Sequence, residues 1–142
     1  MEYIRWEGLP WEYVQKAYDE GHYIEAIQIL HGFIENQLQE LLMLVGAVKF
    51  DTDIKNTWDI ANQISFLNCL KSLYIIGQFN QKEFNDLLNL NSARNKIIHK
   101  IFFSSRYNKE SYKGYPKKKF DNIFKKSIKA IELIYNKIEQ FV

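Results

Sequence analysis

The chain has 142 residues, of which 46% are hydrophobic, 25% are charged and 15% are aromatic, and its formal net charge is +2. This composition excludes an intrinsically disordered chain, and the length allows about two thirds of the unfolded surface to be buried in one core. A single cysteine, Cys69, excludes an intramolecular disulfide scaffold and is typical of a reducing compartment. The longest apolar run, residues 41–45, is shorter than the about 20 residues that span a membrane. With no secretory signal in the first residues, we expect a soluble, cytoplasmic protein that does not insert into membranes.

Apolar residues recur at three- and four-residue steps along most of the chain, which predicts amphipathic helices. The periodic segments cover residues 9–20, 23–45, 53–77, 81–102 and 120–141. Pro10 favours the first turn of the first helix, and Gly46 is predicted to end the second. No segment alternates like a strand. We therefore predict an all-α, single-domain bundle of four to five helices that comprises residues 1–142.

Charge is unevenly divided along the chain. Residues 1–93 carry 6 basic and 13 acidic side chains, whereas residues 94–142 carry 13 basic and 4 acidic ones. A loop predicted between the last two helices adds Arg106, Tyr107 and Lys109. Cations bind phosphates and aromatic rings stack on bases, so these three residues are predicted to contact single-stranded RNA. The alternative is a polar surface loop with no ligand.

The fourth predicted helix has polar residues where its apolar stripe should continue, at Asn91, Arg94 and Asn95. Polar groups on an inward stripe cost stability unless they find partners, and natural sequences keep such conflicts mainly at functional sites. In an α-helix, Arg94 and His99 are five residues apart and about 140° apart around the axis. One helix alone is therefore predicted to make a poor catalytic pair. A second copy related by a two-fold axis would bring both residue types into one cleft, which favours a homodimer.

Arginine and histidine together suit the cleavage of a phosphodiester. Histidine takes up and returns a proton near neutral pH, and arginine binds a phosphate through two parallel hydrogen bonds. In RNA the neighbouring 2′-hydroxyl supplies the nucleophile, so this chemistry requires no metal or cofactor. His22, His31 and His99 lie on different segments, and no metal-ligand spacing is present in the sequence. We predict neither a metal nor a cofactor.

Residues 94–99, with the sequence RNKIIH, resemble the signature of the HEPN superfamily, in which arginine, a polar residue, three further residues and histidine lie near the end of a helix. The resemblance implies a small helical bundle that forms a homodimer through its motif helices. It also implies a metal-independent endoribonuclease that leaves a 2′,3′-cyclic phosphate, in a toxin–antitoxin or anti-phage setting with an antitoxin protein as partner. Arg94 and His99 would then be catalytic, and Asn95 would support their geometry. The tyrosine that accepts a nucleotide in some members corresponds to Ile101 here, so control by tyrosine modification is not implied.

A second function stays open beside the nuclease. The same residues would serve as polar groups of an interface in a non-catalytic HEPN-like module that binds RNA or a partner protein. Two residues of the second helix, His31 and Glu35, are four positions apart and are interpreted as an ordinary surface pair. Asn91 is interpreted as a supporting polar residue, and Cys69 as a small buried apolar one.

Overall fold

A computed structural model describes residues 1–5, 8–100 and 114–142, with the side chain of Lys100 excepted. Over these ranges every regular element is a helix and no strand is present, so the all-α prediction is confirmed. The helices are α1 (Pro10–Asp19), α2 (Tyr23–Lys49), α3 (Ile54–Ala61), α4 (Phe66–Ile75), α5 (Gln81–Asn95) and α6 (Lys117–Glu139), and a π-helical turn (Lys96–Lys100) continues α5. These six α-helices exceed the four to five that the sequence predicts.

The extra helix arises because the predicted third helix is two helices, α3 and α4. Ser65 caps α4 by accepting a hydrogen bond from the backbone amide of Asn68 at 3.3 Å. The buried Gln39 of α2 donates to the carbonyls of Asn62 and Ile64 at 3.3 and 3.0 Å. The cap satisfies an amide and the two bonds from Gln39 satisfy carbonyls that a continuous helix would pair internally, so together they stabilise the break.

Gly46 does not end α2, which continues to Lys49. A Cβ atom at Gly46 would lie 3.2 Å from Cγ2 of Thr57 and 3.3 Å from Oγ1 of Thr52. The glycine therefore allows a close approach of the segment that leads into α3. The chain reverses after α2 at Asp51, which adopts a φ of 54°.

α2 is the central helix, and each of the other five α-helices packs against it or against one of its neighbours. One buried apolar cluster draws on α1, α2, α4, α5 and α6. Its largest fully buried aliphatic side chains are Ile27, Leu30, Ile34, Leu38, Leu41, Leu70, Leu73, Leu87, Leu90 and Ile134. Each contributes about 1.5–3 kcal/mol of transfer free energy. Cys69 is buried in this cluster, as predicted. None of the helices in the described ranges is long and apolar enough to cross a membrane.

The predicted stripe of the last helix is confirmed in α6, where Phe120, Ile123, Ile134 and Ile138 are buried. α6 begins at Lys117, three residues earlier than predicted. The lysines at 117–119 therefore form its first turn and do not precede it. α6 packs on both α2 and α5, which holds the helix that bears the motif against the core.

Candidate active site

The helix that carries the motif changes form within the motif. α5 is α-helical to Asn95, and Lys96–Lys100 form the π-helical turn. In a π-helix the hydrogen bonds join residues five positions apart, so side chains with that spacing approach one another. Nη1 of Arg94 lies 3.4 Å from Nε2 of His99. The predicted separation of about 140° is wrong because it assumes α-helical geometry throughout, and one chain alone brings the two side chains together.

The contact between Arg94 and His99 joins two side chains that a ligand can reach. A guanidinium group only donates, so this contact is a hydrogen bond when Nε2 of His99 carries no proton. His99 is exposed to solvent, and Arg94 is half-buried. The structure therefore places an imidazole and a fixed positive charge side by side at the protein surface.

Two neighbours hold the guanidinium of Arg94. Its Nε donates to Oε1 of Gln28 on α2 at 3.0 Å, and its Nη1 also donates to Oδ1 of Asn95 at 3.2 Å. Asn95 thus contacts Arg94 directly. Within residues 1–5, 8–100 and 114–142, no acceptor binds Nη2, which leaves two N–H donors for a ligand.

A buried pair lies one turn before the motif. Nε2 of His31 lies 2.9 Å from Oδ1 of Asn91, and these residues are only 6% and 9% exposed. The imidazole stacks on the ring of Phe66 with centroids 4.2 Å apart. Burial lowers the pKa of His31 below its ordinary value of 6.5; the hydrogen bond to Asn91 opposes this shift, and the charge of Arg94 reinforces it. His31 is therefore a neutral hydrogen-bonding group that joins α2 to α5.

The interpretation of His31 and Glu35 as an ordinary surface pair is wrong. Oε2 of Glu35 accepts a hydrogen bond of 2.8 Å from the backbone amide of Phe66, in the first turn of α4. A carboxylate is stabilised at this position because the amide groups of a helix N-terminus are unpaired and carry partial positive charge. Each residue thus binds a different helix: His31 binds α5 and Glu35 binds α4.

The sequence analysis missed Gln28. Gln28, His31 and Glu35 follow one another at steps of three and four, so they lie on one face of α2. From that face they bind Arg94, Asn91 and the backbone of α4 respectively. A row of polar residues at helical spacing, directed towards the polar belt of α5, is the signal that could have revealed Gln28.

The predicted RNA contacts and the possibility of a metal site concern other parts of the chain. Arg106, Tyr107 and Lys109 lie outside the described residues. Within the part of the chain that the structure describes, no three His, Cys, Asp or Glu side chains are close enough to hold a metal ion.

No family model matches this chain, and neither the curated proteins nor the solved structures contain a match to it.

Proposed function

We propose that this protein is a metal-independent endoribonuclease of the HEPN type, with Arg94 and His99 as its catalytic residues. The observation that supports the proposal is the 3.4 Å contact between Nη1 of Arg94 and Nε2 of His99. An imidazole beside a guanidinium group combines a group that can transfer protons with a fixed positive charge, and cleavage of RNA through its 2′-hydroxyl uses both.

His99 starts the reaction in this proposal. Its Nε2 takes the proton of the 2′-hydroxyl, and the oxygen attacks the adjacent phosphorus. The bond to the 5′-oxygen breaks, which leaves a 2′,3′-cyclic phosphate on one fragment and a 5′-hydroxyl on the other. The leaving oxygen takes a proton from an acid, so that one proton is removed and one is delivered in each turnover.

Arg94 stabilises the transition state. The phosphorus carries additional negative charge while five oxygens surround it, and a guanidinium group opposes that charge through paired hydrogen bonds. Gln28 holds the Nε side of the group, and Nη2 stays available for a phosphate oxygen. The phosphate and the 2′-hydroxyl would thus be bound by neighbouring side chains of one helix.

A homodimer through the motif helix would supply the acid. Ser92, Lys96 and His99 are exposed along this helix, so a second copy has access to it. In a symmetric pair, His99 of one chain acts as the base, and His99 of the other chain acts as the acid. The setting that we propose is a toxin–antitoxin or anti-phage system, with RNA as substrate and an antitoxin protein as partner.

The experiment is incubation of the purified protein with total tRNA and with a single-stranded RNA in excess EDTA. Wild type is compared with His99→Ala, Arg94→Ala and the control Asp59→Ala, which changes an exposed side chain on α3, a helix that packs on α2. We expect cyclic phosphate ends from wild type and Asp59→Ala. Loss of His99 or Arg94 should reduce the cleavage rate by about 10²-fold or more.

Two outcomes would contradict this proposal. Equal cleavage by all four proteins would indicate a contaminating nuclease and remove the site assignment. Absence of cleavage in every sample, with both Arg94→Ala and His99→Ala less dimeric than wild type in sedimentation, would favour the non-catalytic binding module.

A further inference from the structure

An open groove of about 850 Å³ runs between α2 and α6, and no residue of the motif at 94–99 lines it. Apolar side chains of α6 line it at helical spacing: Ile128, Ile131, Tyr135 and Ile138. Phe33 of α2 lies opposite, and Trp11 of α1 packs edge-on against that ring with centroids 6.0 Å apart. From Ile128 to Ile138 the lined stretch of α6 is about 15 Å long, or three helical turns.

Carboxylates surround these apolar side chains. Glu40, Glu132 and Glu139 line the groove, and no lysine, arginine or histidine of the described residues lies within ion-pair distance of them. An adjoining cavity of about 550 Å³ between α1 and α6 is lined by three acidic residues, Glu12, Asp19 and Glu20, and by one basic residue, Lys16. Acidic side chains therefore outnumber basic ones along the groove and this cavity, although the net charge of the chain is +2. Such a surface attracts a cationic occupant.

One polar group of the groove lacks a partner. Gln37 is 6% exposed, and its Nε2 donates to the carbonyl of Ile131 at 3.2 Å. Its Oε1 is buried and accepts no hydrogen bond in the described part of the chain. Buried acceptors of this kind are rare in folded proteins because nothing replaces the water that they lose.

We propose that this groove binds a short cationic amphipathic helix of a partner protein. Two neighbouring helices with apolar positions at steps of three and four form the surface that receives an amphipathic helix. Three turns of such a helix match the lined length of α6, and its lysine or arginine side chains would face Glu40, Glu132 and Glu139. A small organic cation would occupy only part of this length.

The groove and the candidate active site lie on different faces of α2. Phe33, Gln37 and Glu40 face the groove, whereas Gln28 and His31 face α5. At 100° per residue these two sets point in nearly opposite directions from the axis of α2. A helix bound in the groove therefore leaves the contact between Arg94 and His99 uncovered, and binding is independent of the proposed nuclease activity.

The test uses two synthetic 14-residue peptides and the intact protein. Both peptides place leucine at positions i, i+3, i+4 and i+7; one carries lysine at the other positions, and the other carries glutamate. Fluorescence anisotropy of the labelled peptide measures binding to wild type, Tyr135→Ala, the double variant Glu132→Lys/Glu139→Lys and the control Asp59→Lys. Tyr135 is 54% exposed, and Glu132, Glu139 and Asp59 are also exposed, so these changes leave the core intact.

We expect the lysine peptide to bind wild type and Asp59→Lys equally, and to bind the two groove variants at least tenfold more weakly. The glutamate peptide should not bind. Equal binding of both peptides, equal binding to all variants, or no binding of the lysine peptide would overturn the proposal. So would a wild-type dimer that the groove variants convert to a monomer in sedimentation without peptide, since a second copy would then occupy the groove.

Discussion

Replacing His31 and Asn91, singly and together, tests whether each of these buried side chains depends on the other for its hydrogen bond. Asn91→Leu leaves the Nε2–H of His31 without an acceptor, and His31→Phe leaves Oδ1 of Asn91 without a donor. A buried polar group that loses its partner costs about 1–3 kcal/mol. Each single variant should therefore lose about 1–3 kcal/mol in its free energy of unfolding.

The double variant should be far more stable than the sum of the single losses implies. It leaves no unpaired polar atom at this site, and the phenyl ring that His31→Phe introduces can still stack on Phe66, as the imidazole does at 4.2 Å in the native chain. Replacing both partners by apolar groups of similar shape is nearly neutral, so we expect a loss of about 1 kcal/mol or less. The coupling energy should then be about 1 kcal/mol or more.

Urea unfolding at pH 7.5, followed by circular dichroism, measures these free energies, provided that the m-values of the variants agree. Asn89→Leu is the matched control, because Asn89 is an exposed asparagine of the same helix. It should change stability by no more than about 0.5 kcal/mol. If the loss in the double variant equals the sum of the two single losses, the two side chains do not depend on one another and the argument fails.

Four further predictions follow from the structure. Gln28→Ala frees the Nε side of Arg94 and should lower kcat for RNA by about tenfold with little change in KM, which single-turnover kinetics would resolve. Folding lowers the pKa of His31, so below about pH 6.5 the unfolded chain binds more protons than the folded chain. The free energy of unfolding should therefore fall as the pH falls below about 6.5. Urea titrations of His31→Phe should lack this part of the pH dependence. Burial, with a smaller effect of the charge of Glu35, raises the pKa of the Cys69 thiol to about 11, so alkylation at pH 8 should be at least about 100-fold slower than in the urea-unfolded chain. A Cβ atom at Gly32 of α2 meets nothing within 4 Å, so Gly32→Ala should raise the free energy of unfolding by about 0.5–1 kcal/mol, and an unchanged urea midpoint would contradict this.

Helical content and much of the core could be predicted from the sequence because a helix that buries one face repeats its apolar residues every three or four positions. α6 is the clearest case, since Ile123, Ile134 and Ile138 are both periodic and buried. The π-helical turn could not be predicted in this way. Continued at α-helical spacing from Asn91, Arg94 and Asn95, the inward stripe of α5 would include Ile98, yet Ile97 is 5% exposed and Ile98 is only half-buried. The change in helical form shifts which side chains face the core.

The polar residues of α2 show a second limit. Gln28, His31 and Glu35 have the spacing of a surface row, and the sequence does not show that α4 and α5 supply their partners. Gln39 is similar, because it satisfies carbonyls at a break that the apolar periodicity conceals. In each case the deciding hydrogen bond joins residues more than 20 positions apart, and local patterns carry no information about it.

The contact between Arg94 and His99 depends on the hydrogen-bond register of the π-helical turn. The hydrogen bonds at Lys96–Lys100 span a wider ring than those of an α-helix, and a shift of one residue in the register would give α-helical pairing. In α-helical pairing Arg94 and His99 would separate around the axis. The π-helical register is therefore a condition for an assembled pair within one chain. Amide hydrogen exchange should be faster in this turn than at the buried positions Leu87 and Leu90, and a ligand that bridges both side chains should slow it.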